Sequence, residues 1–190
     1  MDGNKQEQAP VIRKKVKGPE LADWLLQIRQ SVSGAEKLLF LCIGTDRSTG
    51  DSLGPLVGTM LEEAGYPHIV GTLQYPLDAS NMTERLAEIP QGLKVMAIDA
   101  CLGQPASVSC FQVSNQPMEP GKSMGKQLPA VGDYSIAGIV NVDGGQKYST
   151  LQSTSLYRVM TMAKQIAAAI QAAFPVEAGV RTGLHPEEGR

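Results

Sequence analysis

The chain has 190 residues, 42% of them hydrophobic, and carries 17 basic against 19 acidic side chains for a formal net charge of −2. That length suits one domain with one sizeable core, and the near-neutral balance with 5% aromatic residues excludes the broad positive field and the stacking platforms on which nucleic-acid binding depends. Cys42, Cys101 and Cys110 are an odd number without CxxC spacing, which predicts reduced thiols in a cytosolic protein and not a disulfide scaffold.

Residues 1–17, polar and basic in their second half, show no periodicity and are expected to be disordered. They also lack the apolar run of a signal peptide, and nowhere do about eighteen apolar residues follow one another, so neither export nor a membrane span is expected. From Pro19 to Ser33, Leu21, Trp24, Leu25 and Ile28 fall on one helical face, with Pro19 suited to the first turn. Lys37–Ile43 is a continuous apolar run ending at Gly44, the pattern of a strand covered on both faces. The loop GTDRSTGD leads into a helix marked by Leu53, Leu56, Val57, Met60 and Leu61 and stopped at Gly65. A strand over His68–Leu73 and a helix capped by Asp78 or Ser80 and stopped by Pro90 follow. Lys94–Ala100 repeats the buried-strand pattern, and two βα units in succession imply right-handed crossovers in a covered sheet. Ser107–Val113 and Ser135–Val142 predict two more strands, separated by a Gly-, Pro- and Lys-rich loop, and one long helix spans Ser149–Phe174 up to Pro175. The domain therefore covers 18–175, with 176–190 as a flexible tail.

Ligands of open parallel sheets bind beyond the carboxyl ends of strands, and two acids stand at such ends, Asp51 and Asp99. A helix start stabilises an anion by about 0.3–1 kcal/mol, which favours ionised Asp51. Asp99 follows the apolar VMAI run, where burial raises proton affinity. Unequal carboxylates of this kind divide into base and acid. Plainer readings stand beside these: Asp51 as a helix cap, Asp99 as a strand-end residue bonded to its neighbouring loop, and Asp46 as a turn residue or a third carboxylate. Lys122 and Lys126 belong either to a solvated loop or to a substrate contact. GKS at 121–123 lacks the first glycine of a phosphate-binding loop, Cys101 has no histidine at a spacing that suggests a dyad, and with His68 and His185 alone a zinc site is not expected.

The run IGTDRSTGDSLGPLVG (43–58), the strand VMAIDA (95–100) and the loop PGKSMGKQLP (120–129) followed by SIAGIVNV resemble the sporulation protein YyaC family over residues 20–175. In these three segments the chain is also similar to the germination protease of bacterial spores and, more distantly, to hydrogenase maturation peptidases. The resemblance implies an α/β/α three-layer fold with a mixed, mostly parallel sheet of about five strands. It places Thr49, Gly50 and Asp51 at a TPD-like turn, with Gly50 replacing proline, and Ile98, Asp99 and Ala100 at an IDA strand; both turn and strand carry an essential aspartate in the protease. No histidine lies between Ile69 and Leu184, so the third nickel ligand of the maturation peptidases has no counterpart.

These features define an expectation of an aspartate-dependent, peptidase-like hydrolase of the cytoplasm, in the forespore or mother cell of a sporulating bacterium. Asp51 and Asp99 are its catalytic pair; Thr49, Gly50, Asp46 and Lys126 touch substrate, and Thr49 with backbone N–H groups near Leu53 holds the oxyanion. No cofactor or resident metal is expected, although Asp46, Asp51 and Asp99 are also the oxygen ligands a hard cation such as Mg²⁺ prefers. The expected partner is a peptide or protein substrate, with a homo-oligomer compatible; the alternative is a non-catalytic module that binds a sporulation partner through residues 116–133.

Overall fold

The computed structural model describes residues 10–32, 34, 37–121 and 128–176. Eleven regular elements follow in chain order: β1 (Arg13–Val16), α1 (Gly18–Arg29), β2 (Leu38–Cys42), α2 (Leu53–Glu63), β3 (Ile69–Val70), α3 (Met82–Ala87), β4 (Lys94–Gly103), β5 (Phe111–Ser114), β6 (Tyr134–Val142), α4 (Lys147–Gln152) and α5 (Leu156–Ala173). The strands form one sheet in the order β1-β5-β6-β4-β2-β3. β3, β2, β4 and β6 run parallel, whereas β5 and β1 are antiparallel to their neighbours. The expected mixed, mostly parallel sheet is present, with six strands in place of about five.

The sixth is β1, within the stretch for which the sequence predicts disorder. Only Val16 of RKKV is buried, so no periodic signal marks the segment. It is held by backbone pairing with β5, by Lys15 Nζ donating to Ser107 Oγ at 2.6 Å and by Ile12 N donating to Asn115 Oδ1 at 2.7 Å. Three consecutive charged side chains suit an edge strand, where they discourage further pairing.

One sheet face carries the main core. Alternate residues Leu38, Phe40 and Cys42 of β2, Met96 and Ile98 of β4, and Phe111 and Val113 of β5 meet α1, α2 and α5 there. α1 uses the expected stripe Leu21, Trp24, Leu25 and Ile28. Its start is closed by Lys17 N donating to Glu20 Oε2 at 2.8 Å. Each such fully buried side chain contributes about 1.5–3 kcal/mol. The opposite face is covered mainly over β2: Leu39, Leu41 and Ala97 pack with Met82 of α3 and with Leu77 and Val131. This third layer is thin, since α3 has six residues.

The helix predicted over Ser149–Phe174 divides into α4 and α5. Ser153, Thr154 and Ser155 turn the chain, because hydroxyls that bond local backbone compete with helical continuation. Thr154 Oγ1 donates to Thr150 O at 2.8 Å, and the Ser155 side chain accepts from Arg158 N to start α5. β3 is two residues long, against the six expected, and β5 begins at Phe111 after a short 3-10 turn at Pro105–Ser107.

Candidate active site

Asp51 is positioned by a loop wound back on itself. β2 ends at Cys42, and Gly44 adopts φ +144°, a conformation side chains rarely take. A Cβ there would also run into the Asp51 carbonyl and lie 2.9 Å from Pro55 Cδ. Thr45 N donates to Asp51 O at 3.2 Å, closing the loop. Asp51 sits in the 3-10 turn Gly50–Ser52 that runs into α2, whose cap position is Ser52 without a side-chain capping bond. Asp51 therefore occupies neither of the cap positions, which fall to Thr49 and Ser52.

Asp99 lies inside β4, which continues to Gly103, and not at a strand end. The relevant ending is that of its neighbour: pairing with β2 stops at Cys42 opposite Ile98, and Ile43 N donates to Ile98 O at 2.8 Å. Asp99 is the first residue of β4 past that pairing, while on the other side it still pairs with Ala137 of β6. The departure of β2 opens the space into which the carboxyl faces.

Asp51 and Asp99 both line a hollow of about 250 Å³, together with Ser48, Arg47, Asp78 and Tyr148. Burial is the largest cause that pushes Asp99 up to about 8; the Ala100 N–H, 2.7 Å from Asp99 Oδ1, works against it, and the charge of Asp51 adds to it. For Asp99 alone, the expectation that burial beside the VMAI run raises proton affinity has this physical counterpart. Cys101 is pushed up to about 12, first by burial and then by Asp99, which leaves it a thiol and a poor nucleophile.

The lining of the hollow also contains an ion pair. Arg47 Nη2 donates to Asp78 Oδ2 at 3.0 Å, and Ser80 gives Asp78 Oδ1 both its backbone N–H, at 2.8 Å, and its hydroxyl, at 2.5 Å. Burial works to raise Asp78, but the Ser80 bonds and the Arg47 guanidinium prevail and hold it below the ordinary carboxyl value. Neither Arg47 nor Asp78 was a site candidate from sequence. Asp78 reaches the hollow because Leu77 bridges Ile43 in parallel, carrying the chain beside the end of β2 well after β3 has closed. The rule about carboxyl ends of strands would have found it, had that bridge been visible in an irregular PLDASN stretch.

Other expected contacts fall elsewhere. Asp46 is exposed, and neither it, Thr49 nor Gly50 lines this hollow or the larger one beside it. Gly50 is buried against Leu151 of α4, where a Cβ would come 2.8 Å from Leu151 Cδ2. The Thr49 carbonyl is engaged by the N–H and hydroxyl of Ser52, and Leu53 belongs to the main core. Lys122 and Lys126 lie outside the described residues. Among the described residues no group of three or more His, Cys, Asp or Glu side chains is arranged to hold a metal ion. No helix among the described residues is long and apolar enough to cross a membrane.

Fold and site together define an α/β domain with a carboxylate pair at the carboxyl edge of a mixed sheet. The model of a family described as "Protein of unknown function (DUF1256)" matches residues 13–169, and the chain belongs to that family. The "Uncharacterized protein YyaC" of Bacillus subtilis (strain 168) is 46% identical to it over 140 residues, 71% of this chain and 68% of that protein. Two [NiFe] hydrogenase maturation proteases from Thermococcus kodakarensis align with it in space. HycI gives a TM-score of 0.48 at 17% identity, over 76% of this chain and 99% of its own. HybD gives 0.46 at 12% identity, over 72% and 99%.

Proposed function

We propose that this protein is a peptidase-like hydrolase of sporulating cells, in which Asp51 and Asp99 divide general-base and general-acid roles on a peptide bond. The observation that carries the reading is the hollow that both acids line, where burial pushes Asp99 up to about 8 and the charge of Asp51 adds to the rise. Asp51 takes a proton from water, whose oxygen bonds to the scissile carbonyl carbon. Asp99 gives its proton to the departing nitrogen as the C–N bond breaks, leaving a carboxylic acid and an amine. The choice of a peptide bond comes from the similarity of the 43–58 and 95–100 segments to the spore germination protease. Arg47, which lines the same hollow, carries donors that a substrate carbonyl can meet.

The test is cleavage of small acid-soluble spore proteins and forespore peptides by purified protein and by Asp51→Asn and Asp99→Asn. Loss of one acid or base group lowers the rate by roughly 10²–10⁴-fold, and activity declines above about pH 8 as Asp99 loses its proton. Cleavage by both variants at the rate of the unsubstituted protein would remove the two-carboxylate mechanism.

A further inference from the structure

Asp99 stands on a divide between two hollows. Asp99, Ala100 and Gly121 line the 250 Å³ hollow and also a larger one of about 420 Å³. The larger hollow lies on the sheet face that α3 leaves uncovered, over β5 and β6. We propose that it is the second half of the substrate site, taking one flank of an extended polypeptide whose other flank lies in the smaller hollow, with the bond to be cut over Asp99. This rests on the two-carboxylate reading and adds to it the form of the substrate.

Three observations support a bound chain over a bare solvated sheet. The floor includes small side chains, Ser114 of β5 and Ser135 and Ala137 of β6, which give the trough depth where long polar side chains would fill it. Both serines are already fixed: Ser114 Oγ accepts from Gln116 N at 3.1 Å, and Ser135 Oγ donates to Gln116 O at 3.1 Å. The floor therefore needs no reorganisation on binding. By contrast, no side-chain hydrogen bond or ion pair joins Arg13 or Gln112 to other described residues, and both side chains are exposed at this trough. They present amide and guanidinium donors of the kind that engage the carbonyl groups of an extended backbone.

Continuity decides the occupant. A compact small ligand would satisfy one hollow, whereas only an extended chain engages both while passing Asp99. The irregularity in β4 pairing between Cys101 and Leu102 lies just past the divide, in keeping with bulges that re-aim strands beside active sites.

The experiment uses fluorescein-labelled, reduced and carboxymethylated α-lactalbumin as an unfolded polypeptide, offered to the full chain and to Arg13→Ala, Gln112→Trp, Asp99→Asn and Tyr157→Ser. Anisotropy reports binding, and mass spectrometry reports cleavage. Arg13 and Gln112 are exposed, and circular dichroism establishes that their variants fold; Arg13→Gln is the milder second substitution. The expected result is binding weakened about tenfold in the Arg13 and Gln112 variants and unchanged in Tyr157→Ser, a surface control on α5. Affinities unmoved by Arg13 and Gln112 substitution, or no binding by the unsubstituted protein, overturn the proposal. Binding that depends on Arg13 and Gln112, with cleavage absent or no slower in Asp99→Asn, upholds the trough and overturns the placement of the cut bond over Asp99.

Discussion

Asp51 and Asp99 face one hollow because β2 ends beside Ile98, one residue short of Asp99, and the chain leaving β2 folds back to set Asp51 over the same opening. The pair has consequences that need no knowledge of the substrate.

Burial pushes Asp99 up to about 8 in the folded protein, against an ordinary carboxyl value of 3.8. Between those values the folded state holds a proton that the unfolded state has lost, so stability falls as pH rises. Below 3.8 both states are protonated and Asp99 has no effect; above about 8 the whole penalty is present. Asp99→Asn removes this dependence. Calorimetric melting temperatures from pH 4 to pH 9 are expected to decline more steeply for the unsubstituted protein than for the variant, and parallel curves would count against a protonated Asp99.

Removing the charge of Asp51 acts on Asp99 directly. In Asp51→Asn the Asp99 value is expected to drop below about 8 yet stay above the ordinary range, because burial is the larger cause and Asp51 a smaller one. Carbon-13 NMR titration of labelled aspartate carboxyls reads this. An unmoved Asp99 would place the two groups too far apart to share chemistry.

The contact between α2 and the end of β2 depends on Gly54, where a Cβ would strike the Ile43 carbonyl and lie 2.7 Å from Ile43 N. Backbone cannot yield as a flexible side chain can. Gly54→Ala is expected to cost about 1–3 kcal/mol, as overpacking does, and to displace Asp51. Urea unfolding measures the first effect, and the Asp99 titration the second.

Tyr66 closes the far end of the core. Its hydroxyl donates to Phe174 O at 2.8 Å, and its ring meets Phe40 edge-on at a centroid distance of 5.4 Å. Tyr66→Phe keeps the ring contact and strands a buried carbonyl, for an expected loss of about 1–3 kcal/mol. Denaturant unfolding showing no change would mean that water replaces the hydroxyl.

Legibility in the sequence followed how far each signal reaches along the chain. The stripe of α1 and the apolar runs of β2 and β4 are local patterns, and the structure carries them at nearly the expected positions. β1 was hidden because an edge strand of charged residues has one buried position. The break between α4 and α5 was hidden because Ser153, Thr154 and Ser155 are each tolerable within a helix, and only their bonding to nearby backbone shows the turn.

The site divides the same way. Asp99 stood out because an acid beside an apolar run is a local anomaly whose cost of burial is written into its neighbours, and Asp51 because it stands just before a helix start, where an anion is stabilised. Local pattern thus sufficed for the α/β class, the core faces and the two acids. The meeting of those acids, the Arg47–Asp78 wall, the withdrawal of Thr49, Gly50 and Asp46 from the lining, and the second trough beside Asp99 emerged only in three dimensions. Strand order and the point where one strand leaves its neighbour are set by packing between residues far apart in the chain, and no window along a single sequence contains them.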